Sequence, residues 1–160
     1  MTAKEYAEQV EKELKDSWLP EIYRERILKI RTRAYHFGPL KRGTRVEVQH
    51  TLLGVELKMG RRRLLCPDLA TARYLAVFAR AGCQDVAVPY DITKISRLAD
   101  DLESSWHRMV LLADRITGER IRTLGSRVRG LLIAKLKAEI AAAGAGTPVP
   151  EFKKTTKQRV

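Results

Sequence analysis

Apolar residues at Ala7, Val10 and Leu14, then at Tyr23, Ile27, Ile30, Ala34 and Phe37, return every three or four positions, the period of a buried helical face. A run from Ala3 to Phe37 is long for one helix, and Pro20, which lacks an amide proton, belongs in a first turn. Two helices, or one kinked helix divided between Ser17 and Pro20, are predicted, and Gly38 with Pro39 stops them. The period then falls to two. Val46 and Val48 alternate with Arg45, Glu47 and Gln49, and Val55, Leu57 and Met59 alternate with Glu56 and Lys58, as in half-buried antiparallel strands. Gly60 offers a turn into a third strand from Arg63 to Cys66.

Pro67 and Asp68 suit the first turn of a helix that runs through Arg80. Its apolar residues cover more than half its surface, which predicts burial between the sheet and another layer. Gly82 fits a left-handed cap, Val86 to Val88 reads as a short buried strand, and Asp91 caps the next helix. Ile95, Ala99, Leu102, Trp106, Met109, Ala113 and Ile116 form a helical seam. A second apolar set, from Ile121 to Ile140, follows Gly118. A helical hairpin turning at Thr117 and Gly118 is favoured over one long helix, and residues from 141 onward lose periodicity.

These elements predict an α+β fold: an N-terminal helical segment, a small, mainly antiparallel sheet with a packed helix, and a C-terminal helical hairpin. Residues 1–143 would form a single domain and residues 144–160 a flexible basic tail. A hydrophobic content of 44% is enough to bury a core in 160 residues. Two cysteines, Cys66 and Cys83, make neither a disulfide framework nor a four-ligand zinc site, and a reducing cytoplasm suits them. The absence of a long apolar run argues against a membrane span.

Charge changes the picture more than composition does. Lys and Arg number 31 against 19 Asp and Glu, a net +12, and the excess is clustered. Such self-repulsion points to a polyanionic partner, with nucleic acid, DNA or RNA, the commonest. Arg61, Arg62 and Arg63 sit at a predicted turn, where three guanidiniums cannot all pack on one apolar face. Their planar donor forks match phosphate oxygens. Lys41 and Arg42 precede the first strand of the sheet, and Arg24 and Arg31 border the early helical stripe opposite Arg26 and Arg33. Arg108, Arg115, Arg122 and Arg129 recur every seven residues, and Lys153, Lys154, Lys157 and Arg159 close the chain. From these, Arg61, Arg62, Arg63, Lys41, Arg42, Arg24, Arg31, Arg122 and Arg129 are the expected phosphate contacts. Aromatic residues are only 6% of the chain, and Trp18, Tyr23, Phe37, Phe78 and Trp106 stand at core spacings, which argues against base stacking.

One constellation has catalytic potential. Glu56 and Lys58 form a Glu-x-Lys on one face of a predicted strand, a pairing in which carboxylates can hold magnesium while the lysine orients water. The element order around it resembles the nucleases of the restriction-endonuclease-like fold, including archaeal Holliday junction resolvases, whose Glu-x-Lys strand is followed by a helix and another strand. The resemblance covers residues 22–88 and implies magnesium-dependent cleavage of duplex or branched DNA. Such enzymes usually carry an aspartate on the preceding strand, where this chain offers only Glu47. The leading expectation is therefore a non-enzymatic nucleic-acid-binding protein with no cofactor. The alternatives are a nuclease using Glu47, Glu56, Lys58 and magnesium, and a scaffold or assembly factor that self-associates or docks an acidic protein through the seam of residues 95–116.

Overall fold

Thr2 and Glu5 start the first helix by closing a reciprocal cap. The Thr2 hydroxyl accepts the Glu5 amide at 3.2 Å, and the Glu5 carboxylate accepts the Thr2 amide at 2.8 Å. These hydrogen bonds hold the Glu5 carboxyl below its usual pKa. Helix α1, Ala3–Leu14, buries Ala3, Ala7, Val10 and Leu14, the spacing read from the sequence. The computed structural model describes residues 1–40, 43–118 and 122–146, without the side chain of Arg122.

The predicted break is present. Lys15, at φ +50°, ends α1, a tight turn covers Lys15–Ser17, and Pro20 lies in the first turn of the short helix α2, Leu19–Ile22. A wider π-turn follows at Tyr23–Ile27. The helical reading fails beyond it, because Thr32–His36 is a strand, β1. Ala34, assigned to the buried helical stripe, is exposed, and Ile30 is only half-buried. What decides the segment is distant in sequence: β1 pairs antiparallel with β5, Asp85–Pro89, from Thr32 opposite Pro89 to His36 opposite Asp85. Pairing with a buried partner strand outweighs a weak local helical period.

This sheet stops at two strands for a visible reason. The Ala87 amide donates to the Tyr23 hydroxyl at 2.9 Å, and the Tyr74 hydroxyl donates to the Ala87 carbonyl at 2.6 Å. Both backbone groups of the middle residue of β5 are thus satisfied by side chains, where a third strand would otherwise be needed. The Tyr23 hydroxyl then donates its own proton to the Gly144 carbonyl at 2.6 Å. Both tyrosine rings are buried, and each packs against Phe78 with centroids 5.6 and 5.2 Å away.

The second sheet is the expected three-stranded antiparallel meander: β2, Val46–Thr51, β3, Gly54–Met59, and β4, Arg62–Cys66. Helix α3, Leu69–Ala81, is capped by Asp68, whose carboxylate accepts the Thr71 amide at 2.7 Å. It packs between the meander and α4, and Gly82 ends it at φ +79°, the left-handed cap predicted for that position. Asp91 caps α4, Ile92–Thr117, and α5, Arg122–Ala143, folds back on it. A Cβ on Gly125 would stand 3.2 Å from the Thr117 hydroxyl, which shows how closely the two helices approach near the bend. Residues 119–121 of that hairpin bend lie outside the described residues, as do residues 147–160 of the basic stretch.

The architecture is α+β, with one buried cluster drawing on every helix from α1 to α5 and on both sheets. Ile95, Ala99, Leu102, Met109 and Ala113 of the seam are buried within the chain as α4 packs on α1, α3 and α5. These seam positions are thus packed within the chain. Among the described residues, no helix is long and apolar enough to cross a membrane.

Candidate nucleic-acid interface

Strand register sorts the meander into two faces. Val46 with Met59 and Val48 with Leu57 and Leu64 form the apolar face toward α3. On the opposite face, Glu47, Lys58 and Arg63 stand in one cross-strand row, and Gln49, Glu56 and Leu65 in the next. The Glu-x-Lys pair therefore shares a face, as its spacing requires. Both carboxylates meet arginines. Glu47 pairs with Arg45 at 2.9 Å and accepts from the Gln49 side chain at 3.2 Å, and Glu56, with 12% of its side chain exposed, faces Arg63 at 3.7 Å. Among the described residues, no three His, Cys, Asp or Glu side chains converge in a way that could hold a metal ion. Strand β5 pairs with β1 and does not join the sheet that carries Glu56 and Lys58.

The β3–β4 turn brings the arginine run to the end of this meander. Gly60, at φ +64°, supplies the left-handed residue the tight turn needs, and its amide donates to the Arg45 carbonyl at 2.9 Å. This hydrogen bond brings the chain entering β2 alongside Arg61. The Arg62 guanidinium donates to the Phe37 carbonyl, just past the end of β1. Arg61 is exposed and has no ion pair among the described residues. The turn thus splits three consecutive arginines into three roles: one free, one on a backbone carbonyl and one beside a carboxylate. Lys41 and Arg42 lie outside the described residues.

Several other arginines are held by carboxylates. Arg24 bridges Glu21 at 3.0 Å and Glu139 at 3.1 Å, tying α2 to α5. Arg129 pairs with Asp114 across the α4–α5 hairpin, Arg26 with Asp101 at 2.7 Å, and Arg73 with both Asp100 and Glu103. The two carboxylates raise the Arg73 guanidinium pKa still further. These arginines link elements of the fold. Arg122, the other predicted contact on α5, has its side chain outside the described residues.

Arg31 and Arg33 differ from these. Their guanidinium carbons lie 5.1 and 6.0 Å from the centroid of the Tyr90 ring, and neither faces a carboxylate among the described residues. The ribbon positions them: the Tyr90 amide donates to the Arg31 carbonyl at 3.1 Å, extending the pairing of β1 with β5 by one step, so residues 31, 33 and 90 share a face. Ribbon twist exposes Arg31 and Arg33 at this end and His36 at the other, where His36 meets Asp85 at 2.5 Å. Lys29, Lys94 and Arg97 are also exposed in this part of the chain. Asp91, the one acid of this stretch, accepts from both the Thr93 amide at 3.0 Å and the Thr93 hydroxyl at 2.6 Å, and those bonds lower its pKa.

Sequence reasoning named Arg31, left Arg33 as a stripe border and missed Tyr90. A signal was present: Tyr90 continues the period-two set of Val86 and Val88 past Pro89, which puts its ring on a strand face at the end of β5. The chain matches no protein-family model, no curated protein and no solved structure.

Proposed function

We propose that this protein binds nucleic acid, without itself acting as an enzyme, along the β1 side of the molecule. Phosphates would meet Arg31 and Arg33 at one end, and Arg61 with Arg62 at the other. Arg31 and Phe37 are six residues apart on an extended chain, so the two ends are separated by about 20 Å. The observation that carries this reading is the sorting of charge. Arg24, Arg26, Arg73 and Arg129, which join elements of the fold, are neutralised by carboxylates, whereas Arg31 and Arg33 rest on an aromatic ring and Arg61 stands free among the described residues. A guanidinium held by a ring keeps its donors for an incoming anion. A cytoplasmic location belongs to the same proposal, supported by two cysteines that remain free, buried thiols.

The test is a titration of labelled DNA and RNA across a range of salt concentrations. Arg31→Ala/Arg33→Ala and Arg61→Ala/Arg62→Ala are each expected to reduce the slope of log affinity against log salt by about one to two units. Arg24→Ala and Arg129→Ala are expected to lower stability and leave the slope unchanged. Equal slopes in all four variants would remove the assignment.

A further inference from the structure

Tyr90 and Ile92 are large, apolar and exposed, at 44% and 66%, and flank the residue that caps α4. Solvent-facing apolar surface of this kind, bordered by cations, suits a ligand that is itself part apolar and part anionic. Building on the function proposed above, we infer that the ligand is an unpaired nucleic-acid strand, one base of which stacks against the Tyr90–Arg31–Arg33 assembly. Three features of the site point to this ligand over a duplex or a bare polyanion.

The first is the ring itself. A site for phosphate alone has no use for an exposed aromatic side chain, whereas every base has a π-face that a tyrosine or a guanidinium plane can cover. The second is the local charge pattern. The Asp91 carboxylate is engaged by the Thr93 amide and hydroxyl, and Arg31 and Arg33, which lie against the Tyr90 ring, face no carboxylate among the described residues. The third is placement. Arg31 and Arg33 stand two residues apart on the strand face that carries Tyr90, so both cations are at hand for the backbone of whatever stacks on the ring. Arg31 and Arg33 lie against the ring from the same strand.

The experiment compares three probes: a mixed-sequence single strand, the blunt duplex of the same sequence, and inorganic polyphosphate. Wild type is expected to bind the single strand more tightly than the duplex. Tyr90→Ala should lose about 5- to 150-fold in affinity for the single strand, the loss expected for one stacked base. It should retain wild-type affinity for polyphosphate. Tyr90→Phe should keep the single-strand affinity, and Tyr90→Leu, which keeps bulk without a π-face, should fall with the alanine variant. The inference is overturned if Tyr90→Ala and Tyr90→Leu bind the single strand as wild type does, or if wild type prefers the duplex. In either case the function proposed above survives so long as Arg31→Ala/Arg33→Ala still reduces the salt slope. Absence of salt-dependent binding to any of the three probes overturns both.

Discussion

Ala87 shows how much a single residue can demand of its surroundings. Its amide and carbonyl point away from β1, and two buried tyrosines, Tyr23 and Tyr74, exist at the right places to satisfy them. Burial pushes the Tyr23 hydroxyl from 10.0 up to about 12 and the Cys83 thiol from 9.0 up to about 12. The sign of the consequence is fixed. In the unfolded chain the Cys83 thiol ionises near 9.0, while in the folded chain it stays neutral until about 12, so its contribution to stability is complete below pH 9 and is lost as pH rises toward 12. Tyr23 acts in the same direction from pH 10 upward. Cys83→Ala is therefore expected to lose less stability than wild type between pH 8 and pH 11, roughly the range of these ionisations. Urea midpoints measured at each pH check this, and parallel curves would refute it.

At the scale of elements, the readable parts were those whose pattern and partners are close in sequence. Strands β2 to β4 follow one another through short turns, so alternation alone placed Val46, Val48, Leu57 and Met59 on the core side. The caps at Gly82 and Asp91 and the break around Pro20 were equally legible, because each rests on one residue's own chemistry, whereas Asp68, expected inside the first turn of α3, stands one step earlier as its cap. Strand β1 was not, since what makes Thr32–His36 extended is a partner 49 to 57 residues downstream, from Asp85 to Pro89. The candidate site suffered for the same reason: Arg33 and Tyr90 meet only once that pairing exists. The Glu56–Lys58 face also reads differently once its neighbours are placed, because Arg63 crosses from β4 to meet Glu56. Removing Arg63 leaves a half-hidden carboxylate without a cation. Arg63→Ala should destabilise the fold by about 1 kcal/mol, discounted for the exposure of the arginine, and adding Glu56→Gln should restore most of it. A double-mutant cycle by chemical denaturation measures the coupling, and strictly additive losses would show that the pair contributes nothing.

Across the whole molecule, a net charge of +12 coexists with well-neutralised helix junctions, and this division was invisible to a count of residues. The two ends of the chain are also tied together. Trp18 donates to Glu139 at 3.1 Å, Arg24 reaches the same carboxylate, and Tyr23 donates to Gly144, links that span 121, 115 and 121 positions. A chain shortened after residue 143 leaves the Tyr23 proton without its acceptor and is expected to lose about 1–3 kcal/mol. One shortened after residue 146 keeps that acceptor and is the reference for the comparison. Equal thermal melts for the two would show that water replaces the Gly144 carbonyl at no cost. During synthesis, the same link sets a timetable. The amino-terminal helices emerge from the ribosome early, yet their tyrosine meets its acceptor only after residue 144 has been made, so this contact closes after the local ones.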